Sequence, residues 1–163
     1  MKADWMLIAT VSSMIAYWIT ALFLLYQTRH MRTDRNVEVT MRMFEWSESN
    51  RMREAIRWVT TKFSLETHLK QPEDERSEFP GIVVAFFEQA GIMVEKRLVN
   101  EDVVIDHLSV NAIRAWRCLE PLVKFQREHL DDDRFGEHFE FLFRRAEAYE
   151  SSYRRHRNSH GAH

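Results

Sequence analysis

The stretch Trp5–Tyr26, WMLIATVSSMIAYWITALFLLY, decides how this chain is read, because it contains no charged residue. Coiled as a helix it spans roughly 31 Å, close to the hydrocarbon thickness of a bilayer. Trp5 and Tyr26 fall near its ends, where amphipathic rings suit the two membrane–water interfaces. A buried soluble helix of this length is seldom apolar all round. A cleaved signal peptide has a shorter apolar region followed by a small-x-small site, and Leu22 to Tyr26 offers none. Residues 1–30 are therefore expected to form a transmembrane anchor.

The flanks give the expected direction. Arg29, His30, Arg32 and Arg35 follow the span, offset only by Asp34, whereas Lys2, the amino terminus and Asp4 precede it. Basic excess stays in the cytoplasm, so the reading is a single-pass protein of the cell membrane with its N-terminus outside. Residues 31–157 then form a cytoplasmic helical domain, and 158–163 a disordered tail. Within the span, Ser12, Ala16 and Thr20 recur every four residues. Such a face lets two helices approach closely and makes a homo-oligomer a candidate state. The plainer account is that Ser and Thr satisfy their own backbone carbonyls within lipid.

Composition narrows the rest. The 163 residues carry a formal net charge of -2, against the basic excess of a general nucleic-acid binder, so no nucleic-acid partner is expected. Cys118 is the single cysteine and has no disulfide partner within the chain. Only 4 Gly and 3 Pro occur, none before Pro72, which points to an all-α fold.

Helical spacing then sets out four cytoplasmic helices. Thr33 to about Gln71 has no breaker, and Met41, Phe44, Met52, Ala55, Val59 and Phe63 form one stripe. The anchor and this helix read either as one rod or as two helices parted near Thr33–Asn36, which has N-cap chemistry. Gln71–Glu78 reads as an exposed loop bracketed by Pro72 and Pro80. A second helix should start near Pro80-Gly81, burying Val83, Phe86, Phe87, Ala90, Val94 and Leu98. After a cap at Asn100, a third runs to about His129 with Ile105, Leu108, Ala112, Trp116, Leu119 and Val123 inside, and Pro121 should bend it. Asp131-Asp132-Asp133 should start the last helix, whose Phe135, Phe139, Leu142, Ala146, Tyr149 and Tyr153 share a face. Arg154, Arg155 and Arg157 at its end complement the helix dipole. Four such helices with short links pack best as a four-helix bundle.

Chemistry-bearing patterns are sparse. No HExxH, CxxC, GxSxG or phosphate-cradling glycine loop occurs, so no cofactor or metal is expected. The three aspartates 131–133 read as capping residues, since adjacent acids at a helix start face water. His129 and His138 flank the final turn, within reach of Glu128 or Glu137. The tail histidines 156, 160 and 163 suit at most weak chelation. Glu88 interrupts the apolar run Val83 to Val94, and Arg127 projects from nearly the same side of the third helix as Trp116. A Glu88–Arg127 or Glu88–Arg114 pair inside the bundle is the expected polar cluster, with Glu88, Trp116 and Arg127 at its centre. Its plainer role is a structural ion pair that favours one packing register.

The segments Ala85–Ala90, Val99–Asp102, Ala115–Arg117 and Phe125–Arg127 together resemble a prokaryotic family of unknown function. The resemblance implies small proteins with one N-terminal membrane helix and a helical cytoplasmic domain, and it implies no activity. Gly91-Ile92-Met93 departs from it, where a steadier helix is expected. The resulting reading is a non-enzymatic, membrane-tethered interaction or scaffold module with an unknown cytoplasmic protein partner. The rival is a small membrane-bound enzyme or phage-defence-like effector built on a His/Glu/Arg cluster, for which His107, Glu88 and Arg127 would have to converge.

Overall fold

A computed structural model describes the backbone of residues 2–160 and the side chains of 14, 16–26 and 37–155. All secondary structure among them is helical: α1 (Lys2–Ser47), α2 (Asn50–Lys62), α3 (Leu65–Lys70), a 3-10 turn (Glu73–Glu75), α4 (Phe79–Glu95), α5 (Glu101–Leu130) and α6 (Glu137–His160). The chain divides into two units, Met1–Glu38 and Val39–His163.

In the first unit, large apolar side chains stand exposed on successive faces of α1, among them Tyr17 (77%), Trp18 (67%) and Leu25 (65%). The Thr20 hydroxyl donates to the Ala16 carbonyl at 2.8 Å, the local bond that a helical threonine makes when no neighbour competes. The side chains of Trp5, Ser12 and Arg29–Asn36 lie outside the described residues. Among the described residues, no helix is long and apolar enough to cross a membrane. The described apolar side chains from Met14 to Tyr26 cover roughly 20 Å of helix, short of a bilayer core. Thr33–Asn36 lies inside α1 rather than at a helix start.

The second unit corrects the expected unbroken helix from Thr33 to Gln71. Ser47 donates its hydroxyl to the Phe44 carbonyl at 2.7 Å, and the Ser49 hydroxyl accepts from the Met52 amide at 3.2 Å. The chain thus ends one helix and caps the next with serines alone, needing neither Gly nor Pro. Helical phase restarts at the break. Met52, Ala55 and Val59 are buried as expected, but Met41 is 54% exposed, and Thr40 and Met43 turn inward in its place. A further break at Phe63-Ser64 precedes α3.

Helix α4 starts at Phe79, with Pro80 in its first turn, where a missing amide costs nothing. It stops before Leu98, which is 51% exposed rather than buried. Arg97 takes a left-handed conformation (φ 54), so that its amide reaches the Val94 carbonyl at 3.0 Å and the Leu98 amide the Met93 carbonyl at 2.9 Å. These two bonds are the Schellman closure, and Val99 instead turns into the core. The Asn100 side chain accepts from Val103 at 3.3 Å and starts α5, whose whole expected apolar line is buried. Pro121 falls inside this helix.

The aspartates do not start the last helix. Asp131 ends α5 in a left-handed conformation (φ 49), and Asp132 Oδ1 accepts from the Arg134 amide at 3.0 Å, shaping the turn that leads to Gly136. Phe139, Leu142 and Ala146 of α6 are buried, whereas Tyr153 is exposed. The side chains beyond Arg155, including Arg157 and the tail histidines, and residues 161–163 lie outside the described residues; the backbone of 158–160 belongs to α6.

Helix α6 packs on α4 and α5, and α2 packs on the same two helices, giving a helical bundle. Phe87 stacks on Phe139 at 4.8 Å between ring centres, and Trp116 meets Phe139 edge-on at 5.0 Å. Gly91 lets α4 and α6 touch: a Cβ there would lie 2.1 Å from the His138 carbonyl oxygen. The glycine that departs from a steady helix pattern is therefore a contact point, and α4 continues through it to Glu95.

Candidate functional site

A helix exposes amides at its start, and α6 begins after Gly136, which has no side chain to cap them. The acceptor comes from another helix. Glu88 of α4 receives the Phe139 amide on Oε2 at 2.9 Å and the His138 amide on Oε1 at 3.3 Å. The same Oε1 lies 2.8 Å from His138 Nδ1. On the far side of the ring, Nε2 is 3.3 Å from Glu95 Oε2 and 3.7 Å from Glu137 Oε1. The His138 ring thus joins the first turn of α6 to the middle of α4 through Glu88 and to its C-terminal end through Glu95. Glu95 is held below the ordinary carboxylate value, first by its hydrogen bond from Lys96 and with help from His138.

A second cluster lies on the opposite flank of the turn. Arg127 donates Nε to the Phe135 carbonyl at 2.8 Å and both terminal nitrogens to Glu140 Oε2 at 3.0 Å. Arg144 also bonds Glu140. Burial alone raises the Glu140 carboxyl, but the hydrogen bonds from Arg127 and Arg144 outweigh it and hold the group below its usual value.

These partners correct the expected Glu88–Arg127 or Glu88–Arg114 pair. Glu88 faces the capless start of α6, while the turn after α5 brings Phe135 and Glu140 to Arg127. Arg114 instead lines a groove between α5 and α6, beside the Arg117–Glu147 ion pair at 3.0 Å. Trp116, at 4% exposure, packs against Phe139 and Phe143 and belongs to the core rather than to a polar cluster. His107 sits apart, with its ring 4.0 Å from that of Phe44 and its Nε2 3.3 Å from Ser47 Oγ. His107, Glu88 and Arg127 therefore take three separate sets of partners. His129 stacks on Phe125 at 4.4 Å. Tyr149 donates to Asp106, which pushes the phenol up to about 12. Among the described residues, no group of three His, Cys, Asp or Glu side chains is placed to hold a metal ion.

Next to Glu88 opens a cavity of about 640 Å³, which sequence spacing does not reveal because four separate segments build it. Pro80, Val84, Leu122 and Phe135 supply its apolar surface, and Arg76, Gln126 and Arg134 its polar groups. His68, also in its wall, has a buried Nδ1 without a hydrogen-bond partner. Its ring is held below the ordinary histidine value by burial and by the nearby Arg76, so it is neutral near pH 7. A smaller apolar recess of about 230 Å³ lies between Met43, Trp46, Phe86 and Met93.

No curated protein and no solved structure matches the chain. A family model does: residues 7–146 match DUF4760, a domain of unknown function.

Proposed function

Since the chain belongs to the DUF4760 family, which brings no activity with it, we propose from its own residues that it is a membrane-tethered helical interaction module. The observation that carries this reading is the exposure of Tyr17, Trp18, Ile19, Leu22, Phe23, Leu24, Leu25 and Tyr26 around α1. Leaving one such side chain in water forgoes about 1.5–3 kcal/mol of burial, so eight of them between Tyr17 and Tyr26 call for an apolar surrounding. Trp5–Tyr26 as a whole has the length and the uncharged composition for a bilayer, and the basic residues after it favour a cytoplasmic bundle.

Interaction is favoured over catalysis by how the bundle uses its charges. Glu88 and His138 close a helix start, and Arg127 and Glu140 brace a turn. The convergent His107, Glu88 and Arg127 group that the enzyme or effector reading needs is replaced by three distinct contacts. Tethering raises the effective concentration of such a module toward a partner at the same membrane, including a second copy.

Crosslinking in intact membranes, followed by detergent extraction, tests the reading. A discrete adduct of the full chain, lost in a chain that starts at Asp34, is the expected result. A full chain that yields only uncrosslinked monomer contradicts an interaction role. If the adduct is a homodimer, Ser12, Ala16 and Thr20 are the positions to enlarge first.

A further inference from the structure

We propose that the acidic turn Glu73–Glu75 of one copy docks in the groove between α5 and α6 of a second copy. This names a partner for the interaction reading above and rests on it. The groove, of about 480 Å³, is lined on α5 by Val110, Arg114 and Arg117 and on α6 by Glu147, Glu150 and Arg154. Arg117 and Glu147 pair at 3.0 Å and cancel. Glu150 accepts from the Ser109 hydroxyl at 2.8 Å and keeps its charge. Arg114 and Arg154 are exposed and make no hydrogen bond or ion pair among the described residues. Arg155 donates to the carbonyl of Ser151, another lining residue, at 3.2 Å, which leaves its charge in place at the groove's edge. Three guanidinium groups therefore stand against one carboxylate, beside Val110, which is 48% exposed. A positive groove with an apolar flank suits an acidic segment that carries an apolar residue.

The chain presents such a segment elsewhere. Glu73, Asp74 and Glu75 are exposed, follow the exposed Pro72, and make no ion pair among the described residues. The carboxylates on either side are already taken, Glu66 by Lys70 at 2.5 Å and Glu78 by Arg51 at 2.7 Å. Arg76 donates to the carbonyls of Gln71 at 3.0 Å and Leu69 at 3.3 Å, and the Glu75 amide to that of Pro72 at 3.0 Å. These bonds hold the turn in one shape, so docking it costs little ordering. Glu73 shares the cavity wall with Arg76 and Arg134, which leaves Asp74 and Glu75 to meet Arg114 and Arg154. One copy cannot fill its own groove. The turn lies by the part of α5 that carries Gln126, and from Gln126 to Arg114 the helix rises roughly 18 Å. A single turn in a groove buries too little to hold two free chains together, but copies tethered to one membrane meet at a raised effective concentration.

The test uses two differently tagged full chains produced together in membranes, both carrying Cys118→Ser. One also carries Gln71→Cys beside the turn, and the other Ser151→Cys in the groove. A disulfide joins residues only when their Cα atoms come within roughly 7 Å, so oxidation should yield a mixed disulfide of the two tags. Arg114→Glu with Arg154→Glu in the groove copy should cut its yield about tenfold, because attraction becomes repulsion. Asp74→Arg with Glu75→Arg in the turn copy should then restore it, a recovery that a misfolded chain would not give. The proposal is overturned if no mixed disulfide forms, if reversing the groove leaves the yield unchanged, or if reversing the turn fails to restore it. Amine crosslinking of the same membranes tells the two readings apart. An amine adduct without the disulfide overturns the docking alone, and the absence of both overturns the interaction reading with it.

Discussion

Glu88→Ala removes one side chain from α4 and should loosen a different helix, α6. The lost carboxylate accepts from two α6 amides, at 2.9 and 3.3 Å, and from the His138 ring at 2.8 Å. Losing a helix cap costs about 1 kcal/mol, and a partly buried amide left without an acceptor adds about 1–3. The Glu88 side chain is 23% exposed, so water refills some of the gap. A net loss of about 1–3 kcal/mol follows, or roughly 3–9 °C in melting temperature for a domain of this size. Glu88→Gln keeps one carbonyl acceptor and should lose about half as much. Thermal unfolding of the full chain in detergent, followed by circular dichroism at 222 nm (roughly the helix minimum), reads both variants. Should Glu88→Ala melt within about 2 °C of the parent, or Glu88→Gln prove as damaging as Glu88→Ala, the cross-helix cap is not what holds the start of α6.

Three further outcomes follow from the packing. Gly91→Ala places a methyl 2.1 Å from the His138 carbonyl and should destabilise by about 3 kcal/mol or more, whereas Gly81→Ala meets nothing within 4 Å and should stabilise α4 by about 0.5–1 kcal/mol; paired denaturant melts check the contrast. Arg97→Gly relieves the left-handed conformation that closes α4 and should raise stability by about 1 kcal/mol, seen as a higher urea midpoint at unchanged slope. Glu140 has its folded pKa depressed, so its ion pair with Arg127 contributes above the unfolded carboxyl pKa and is lost as pH falls through the lower folded value. The stability difference between the parent and Arg127→Met should therefore shrink as pH falls below the ordinary carboxyl value of 4.5, and a gap that stays constant would place the effect elsewhere.

Much of the bundle was legible in the residue spacing, and the exceptions have local causes. The line Ile105, Leu108, Ala112, Trp116, Leu119 and Val123 is buried throughout, because one long helix with a polar outer face has a single way to present it. Spacing failed where small polar residues ended a helix without Gly or Pro. Ser47 and Ser49 break the chain between α1 and α2 and shift the inward face from Met41 to Met43. Leu98 sits in phase with the apolar face of α4, yet the left-handed Arg97 turns the backbone before it is reached. Asp131-Asp132-Asp133 had capping chemistry that suits either end of a helix, and here it closes α5 and shapes the following turn.

The site was legible only in part. Glu88 and Arg127 stood out as charges beside apolar stripes, and both do hold the bundle together, but with other partners than each other. What pairs with Glu88 is decided by Gly91, whose missing side chain brings α6 near enough for its amides to reach the carboxylate. Glycine within a helix was the available sign of that approach. The cavity next to it had no sign in any one segment, since Arg76, Gln126 and Arg134 come together only through the tertiary fold.

The tether is the claim on which the rest of the functional reading depends, and alkaline carbonate extraction of membranes from cells producing the full chain tests it most directly. The account predicts that the full chain stays in the membrane pellet and that a chain beginning at Asp34 is released. A full chain released into the supernatant, together with peripheral proteins, would contradict it.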